Sequence, residues 1–279
     1  MKAAVLGSPI AHSLSPVLHR AGYAALGLDG WSYTAIECSE AGLPGLVGSC
    51  GPDWAGLSLT MPLKRAVLPL LDTVDPLAAD VGGANTVVFA GGQRHGYNTD
   101  VAGLVAALAD AGVTAPSSAV ILGAGATACS ALAALRDTGL RAVTVAVRDP
   151  GRAAGLQAVA GRLGVQVRLR PLADQGEGVL PPPDLLVSTV PAGAADFLAE
   201  RFGAGVPAPA CVFDVVYAPW PTRLAQAAQD AGATVVGGFE LLLHQAVGQF
   251  ELMTGRRPAP LEAMRAAGLA ELIRRSAAA

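Results

Sequence analysis

The stretch SAVILGAGATACSALAALRDTG, residues 118 to 139, constrains the fold more than any other. An apolar, β-branched run breaks at Gly123 and continues as an alanine-rich segment with helical character, so it reads as strand, tight turn and helix. The turn Gly123-Ala124-Gly125-Ala126-Thr127-Ala128 matches G-x-G-x-x-A. The first glycine permits the turn, the second lets a pyrophosphate approach the backbone, and the small Ala128 lets helix and strand pack closely. Phosphate would then sit at the positive end of the helix. A second strand, AVTVAVR (142 to 148), follows where a βαβ dinucleotide-binding unit requires it. Further strand-like runs fall at 165–170, 184–190, 211–216 and 234–238.

The N-terminal part alternates strands and helices in the same way. KAAVLG (2–7), YTAIEC (33–38) and AGLSLTM (55–61) read as strands, with a helix over 16–26 after the first and Ser39 as an N-cap after the second. Residues 84 to 100 read as a hairpin turning at Gly91 and Gly92, and a helix is expected over 101–112. Segments after Gly238 are helical and cannot extend a sheet. The fold class is therefore α/β with mostly parallel sheets: a first domain of 1–101 joined by returning helices 239–279, and a Rossmann-type domain over 102–238.

Composition narrows the partners. A net charge of −3 with scattered arginines offers no basic stripe, so neither nucleic acid nor an anionic membrane is an expected partner. No apolar run is long enough for a membrane span, and the start MKAAVLGSPI suits a first strand better than a signal peptide, which makes a cytoplasmic location the expectation. Cys38, Cys50, Cys129 and Cys211 form no C-x-x-C pair and the histidines no H-x-x-x-H pair, so no metal is expected. Small molecules remain, bound by a monomer or a homodimer.

Three groups of residues point to chemistry. Of nineteen Lys and Arg, only Lys2 and Lys64 are lysine. Arginine stays protonated, whereas lysine can be tuned to give and take a proton. Lys64 follows Pro62 at the end of the third strand, the edge where open α/β sheets bind ligands. At the end of strand 142–148, Arg148 and Arg152 offer cations for an adenosine 2′-phosphate, favouring NADP over NAD. Asp149 between them either accepts from a ribose hydroxyl or repels the phosphate. In GSPIAHSLSP (7–16), Ser13 and Ser15 with helix-start N–H groups form a seat for a carboxylate, or Ser15 caps the helix. Asn85 and Asn98 fit turn positions as well as ligand contacts, and Asp100 fits an N-cap as well as catalysis.

The motifs GSPIAHSLSP, LTMPLK, ANT, NTD, GAGATA and GFELLLHQA, in this order and spacing, resemble the shikimate dehydrogenase family over nearly the whole chain. The resemblance implies an NADP-dependent oxidoreductase that interconverts 3-dehydroshikimate and shikimate in aromatic amino acid (chorismate) biosynthesis. It implies that Ser13 and Ser15 hold the substrate carboxylate with Tyr217 nearby. Thr60, Asn85, Asp100 and Gln245 would hydrogen-bond the ring hydroxyls, and Lys64 beside Asp100 would be the catalytic acid/base. Gly123 to Ala128, Arg148, Arg152, Thr189, Val215 and Gly238 would form the cofactor site. The chain departs from the family pattern at Ser58, commonly asparagine, at NTDVAG in place of NTDGxG, and at VRD in place of NRT. An NAD-dependent quinate/shikimate dehydrogenase is the rival within the family, and a catalytically silent dinucleotide-binding regulator the rival outside it.

Overall fold

The computed structural model describes residues 1–172, 183–205 and 207–278. The chain divides into two compact units, Met1–Thr99 with Leu242–Ala279, and Asp100–Leu241. Among the described residues no helix is long and apolar enough to cross a membrane.

The first unit holds one six-stranded sheet: β1 (Lys2–Gly7), β2 (Ser32–Glu37), β3 (Trp54–Leu59), β4 (Thr73–Val74), β5 (Thr86–Ala90) and β6 (Gln93–Tyr97), in the order β2-β1-β3-β5-β6-β4. β1 runs parallel to β2 and β3, whereas β5 is antiparallel to both β3 and β6. The β5–β6 hairpin turns at Gly91 and Gly92, both at positive φ, as a two-residue turn matched to the strand twist demands. One face of the sheet packs Ala4, Leu6, Leu57, Leu59 and Val87 on Leu43, Val47, Leu63 and Val67. Helix Ser15–Ala25 lies against the C-terminal helix Leu261–Ser276, and its His19 and Tyr23 meet Tyr33 of β2 and Phe250 of helix Gly238–Thr254.

The second unit holds β7 (Ala119–Leu122), β8 (Ala142–Val147), β9 (Gln166–Pro171), β10 (Leu185–Ser188), β11 (Cys211–Asp214) and β12 (Thr234–Gly237), in the order β12-β11-β10-β7-β8-β9. Every pairing is parallel. This is the doubly wound arrangement, whose strand order reverses between β7 and β10 and opens a crevice at their carboxyl ends.

Local departures from the sequence reading have simple causes. Ser39 does not cap helix Leu43–Ser49, because its main-chain carbonyl accepts the Gly42 and Leu43 N–H groups and Gly42 takes the cap position. The helix expected over 101–112 runs Asp100–Asp110, so Asp100 is its first residue. The helix expected from Pro16 begins at Ser15. β4, two residues long, has too little sequence to show a period.

Candidate active site

In the second unit the glycine-rich turn crosses the crevice between β7 and β10. Gly123 has φ 101°, and a Cβ there would lie 2.7 Å from Thr189 Oγ1, so only glycine fits. Its N–H donates to the Ala146 carbonyl at 2.8 Å, locking the turn to β8. A Cβ on Gly125 would meet nothing within 4 Å, so the space beside it is open at the start of helix Ala126–Asp137. Ala124, Ala126 and Thr127 are half-buried around this opening and Ala128 is buried in the helix face below. Gly123, Ala124, Gly125, Thr189, Arg148 and Asp149 are among the residues that line a cavity of about 840 Å³. That volume is within the range of small-molecule and cofactor pockets, and the helix N-terminus beside it is a setting that favours phosphate.

Two residues of the cavity wall are already engaged. Thr189 Oγ1 donates to the Leu122 carbonyl at 2.6 Å, which spans the two central strands at the crevice. Asp149 accepts from the Gly151 N–H at 2.9 Å, capping the turn Pro150–Arg152, so one carboxylate oxygen belongs to the backbone. Arg148 is exposed, and the side chain of Arg152 lies outside the described residues. Val215 and Gly238 approach each other so closely that a side chain on Gly238 would strike the Val215 carbonyl. Tyr217 follows in the same turn, which the buried Asp214 fastens: its carboxylate accepts from Thr222 Oγ1 at 2.7 Å and from the Val216 N–H at 3.2 Å. Burial raises the Asp214 pKa against the pull of these bonds.

In the first unit the segment 83–86 gathers the residues expected on the substrate side. The Ala84 N–H donates to the Lys64 carbonyl at 2.8 Å, fixing the short helix Leu63–Ala66 in which Lys64 sits half-buried. The Asn85 carbonyl accepts the Leu59 N–H at 2.8 Å, one residue before Thr60. The buried Asn85 amide donates to Thr99 Oγ1 at 2.9 Å and to Gln245 Oε1 at 3.3 Å, and its oxygen accepts the Thr99 N–H at 2.9 Å. Gln245 uses Nε2 to donate to the Leu242 carbonyl at 2.8 Å, leaving it a second N–H. Thr60, Lys64, Asn85 and Gln245 are thus tied into one framework. Both Asn85 amide hydrogens have protein acceptors, so its first task is to hold Thr99 and Gln245. Asn98 donates to the Gly83 carbonyl at 2.8 Å and serves the turn. Asp100 is buried at the start of its helix, in the second unit.

The loop with Ser13 and Ser15 joins this edge: Ser8 N–H donates to the Met61 carbonyl at 3.0 Å. Glu37, at the end of β2, holds the loop by accepting from Ser8 Oγ at 2.5 Å and the Ile10 N–H at 3.0 Å. Arg275 donates to the His12 carbonyl at 2.7 Å. The expected free N–H groups are largely used. Ser15 N–H goes to Ser13 Oγ at 3.3 Å, Pro16 has none, and Val17 N–H goes to the Leu14 carbonyl at 2.9 Å. Any carboxylate seat here is built from the serine hydroxyls. Ser15 is buried inside the helix and the cap position is Leu14, without a side-chain cap.

Sequence reasoning missed Gln249 and Thr99, and met Ser58 only as a departure from the family pattern, without its partners. Tyr33 OH donates to Ser58 Oγ at 2.6 Å, Ser58 donates to Gln249 Oε1 at 2.7 Å, and Gln249 Nε2 donates to the Asn85 carbonyl at 3.0 Å. One signal was present: Gln249, like Gln245, is a polar residue in an apolar helix, and such a group needs a partner.

Residues 5–87 match the model of the shikimate dehydrogenase substrate binding domain, and residues 238–267 that of the shikimate 5′-dehydrogenase C-terminal domain. A shikimate dehydrogenase (NADP(+)) of Thermus thermophilus is 37% identical over 277 residues, 99% of this chain and 98% of that protein. The chain belongs to the shikimate dehydrogenase family. Solved members have the same architecture. The Mycobacterium tuberculosis shikimate dehydrogenase matches with a TM-score of 0.87 at 43% identity, over 96% of this chain and 99% of that one. A Thermus thermophilus shikimate 5-dehydrogenase in complex with NADP(H) and shikimate gives 0.79 at 34% identity, over 96% and 98%. Within the family pattern, Ser58 is the departure with a structural account: its hydroxyl is buried between Tyr33 and Gln249.

Proposed function

We propose that this chain catalyses the reversible, NADPH-dependent reduction of 3-dehydroshikimate to shikimate, a step of aromatic amino acid biosynthesis. The observation that carries the reading is the framework that ties Thr60, Lys64, Asn85 and Gln245 to one strand edge, in a chain that also has a dinucleotide cradle and full-length family relatives.

NADPH supplies the hydride. Ketone reduction also needs a proton on oxygen, and Lys64 is the residue that donates it, returning to the ammonium form from solvent. Before transfer, its positive charge stabilises the developing alkoxide. Asp100 is the acidic partner that the family pattern assigns to this step. Ser13 and Ser15 donate their hydroxyls to the carboxylate, with Tyr217 as a further donor. Thr60 and the second Nε2 hydrogen of Gln245 orient the ring hydroxyls, and Asn85 acts on them by holding Gln245 in place. Gly123 to Ala128 would hold the pyrophosphate, Arg148 with Arg152 would hold the 2′-phosphate, and Thr189, Val215 and Gly238 would flank the nicotinamide half. A formal charge of −3 without a basic stripe suits small-molecule partners.

The test is oxidation of shikimate and of quinate, each with NADP and with NAD, followed by absorbance of the reduced cofactor. Shikimate with NADP should give the highest kcat/KM. A preference for quinate or NAD would reassign the chain within its family, and no turnover with any pair would refute the reading.

A further inference from the structure

We propose that Gln249 is a positioning residue: with Ser58 it sets the height and tilt of Asn85, and through it the substrate-facing ends of Thr60 and Gln245. The inference rests on the functional reading above. Gln249 is 1% exposed and Ser58 2% exposed, so neither meets solvent or a ligand directly. Each bond in their chain has only one possible direction. The Asn85 carbonyl can only accept, so Gln249 must present Nε2 to it and Oε1 to Ser58; Ser58 must then donate to Oε1 and accept from Tyr33 OH.

The Asn85 carbonyl is the point where this chain enters the active framework. One lone pair takes the Leu59 N–H from β3 and the other takes Gln249, so the helix Gly238–Thr254 is bolted to the β3 edge just before Thr60. Gln245 stands one turn earlier on the same helix face and reaches the Asn85 side chain. Removing Gln249 leaves a buried carbonyl and the Ser58 hydroxyl short of a partner, a cost a buried network relieves by shifting its members. The members that shift carry the ring contacts. Those contacts act on ground state and transition state alike, so the loss falls on KM rather than kcat.

The experiment compares Gln249→Met, Ser58→Ala and the double variant with wild type in NADP-dependent shikimate oxidation. Wild-type activity is measured alongside, because its absence would refute the functional reading and not this one. With wild type active, Gln249→Met should raise the shikimate KM about tenfold, with kcat within about threefold and the KM for NADP unchanged. Ser58→Ala should raise it about threefold, and the double variant no more than Gln249→Met alone, since both cut one chain. An unchanged shikimate KM in either single variant, or equal rises for shikimate and NADP, would overturn the proposal. So would multiplicative effects in the double variant. Should Gln249→Met not fold, Ser58→Ala decides alone by the same KM split.

Discussion

Acidification should weaken the first unit at one identifiable residue, His19. Its imidazole is fully buried, stacked on Tyr33 with centroids 4.0 Å apart, and flanked by Tyr23 and Phe250. Neither ring nitrogen has a hydrogen-bond partner. Gln249 lies near enough to favour the charged form slightly, but outside hydrogen-bond geometry, so loss of solvation decides and lowers the pKa from 6.5 to about 3. The sign follows from which state binds the proton first. Below pH 6.5 the unfolded chain protonates His19 while the folded chain keeps it neutral, so stability is full above 6.5 and drains as pH falls toward 3. One proton is worth about 1.4 kcal/mol per pH unit, giving about 2 kcal/mol between 6.5 and about pH 5, and on the order of 5 kcal/mol over the whole window. Urea unfolding of wild type and His19→Phe, followed by circular dichroism and fluorescence, measures it. Phenylalanine keeps the stack on Tyr33 and cannot protonate, and the difference between the proteins cancels other titrating groups, Asp214 among them. Wild type should lose the 2 kcal/mol relative to His19→Phe. Parallel losses would refute the reasoning, because they would mean that the ring finds a partner or water when charged. The carboxylates of Glu271 and Asp72, held down to about 2 by arginine partners, lose their pairing only at lower pH and do not blur this interval.

Three further outcomes are expected. Gly123→Ala, forced to positive φ with its Cβ against Thr189 Oγ1, should raise the KM for NADP at least tenfold with little change in the shikimate KM; an unchanged NADP KM would remove the turn from the cofactor site. Arg148→Ala should raise the KM for NADP ten- to a hundredfold, the value of a charge-assisted phosphate contact, and leave NAD kinetics alone; equal effects on both cofactors would contradict a 2′-phosphate role. Ser15→Ala should raise the shikimate KM about tenfold while decarboxylated analogues bind as before, since the hydroxyls and not the backbone form the seat; stronger shikimate binding in the variant would refute it.

The parts of the fold that were legible in the sequence are those written locally. The βαβ unit at 118–148 declares itself because Gly123 answers the steric demand of its turn, Gly125 leaves the space beside it open and the small Ala128 packs in the helix face, and the Gly91-Gly92 hairpin because two positive φ angles need glycine. Ser39 misled for the opposite reason. A serine before a helix can cap it with its hydroxyl or bend the chain with its carbonyl, and the sequence does not distinguish the two. The antiparallel pairing of the Gly91-Gly92 hairpin's β5 onto β3, which sets Val88 opposite Gly56, depends on a partner outside the hairpin and leaves no periodic mark. The substrate side divides in the same way. Lys64 stood out through its rarity and its strand-end place, and Ser13 and Ser15 through their motif. The donors expected beside those serines were misjudged because Ser13 Oγ, Pro16 and the Leu14 carbonyl consume or remove the backbone N–H groups. Gln249 and Thr99 stayed hidden because their partners, Ser58, Asn85 and Gln245, lie as much as 191 residues away in sequence.

Steady-state shikimate oxidation by Lys64→Ala, with NADP saturating, tests the proposed chemistry most directly. Loss of the proton donor should lower kcat by about 10²- to 10⁴-fold and leave the shikimate KM within about threefold, because the ammonium's contribution grows as charge develops on oxygen. A kcat near that of wild type would contradict the assignment of Lys64 and with it the mechanism built on the β3 edge.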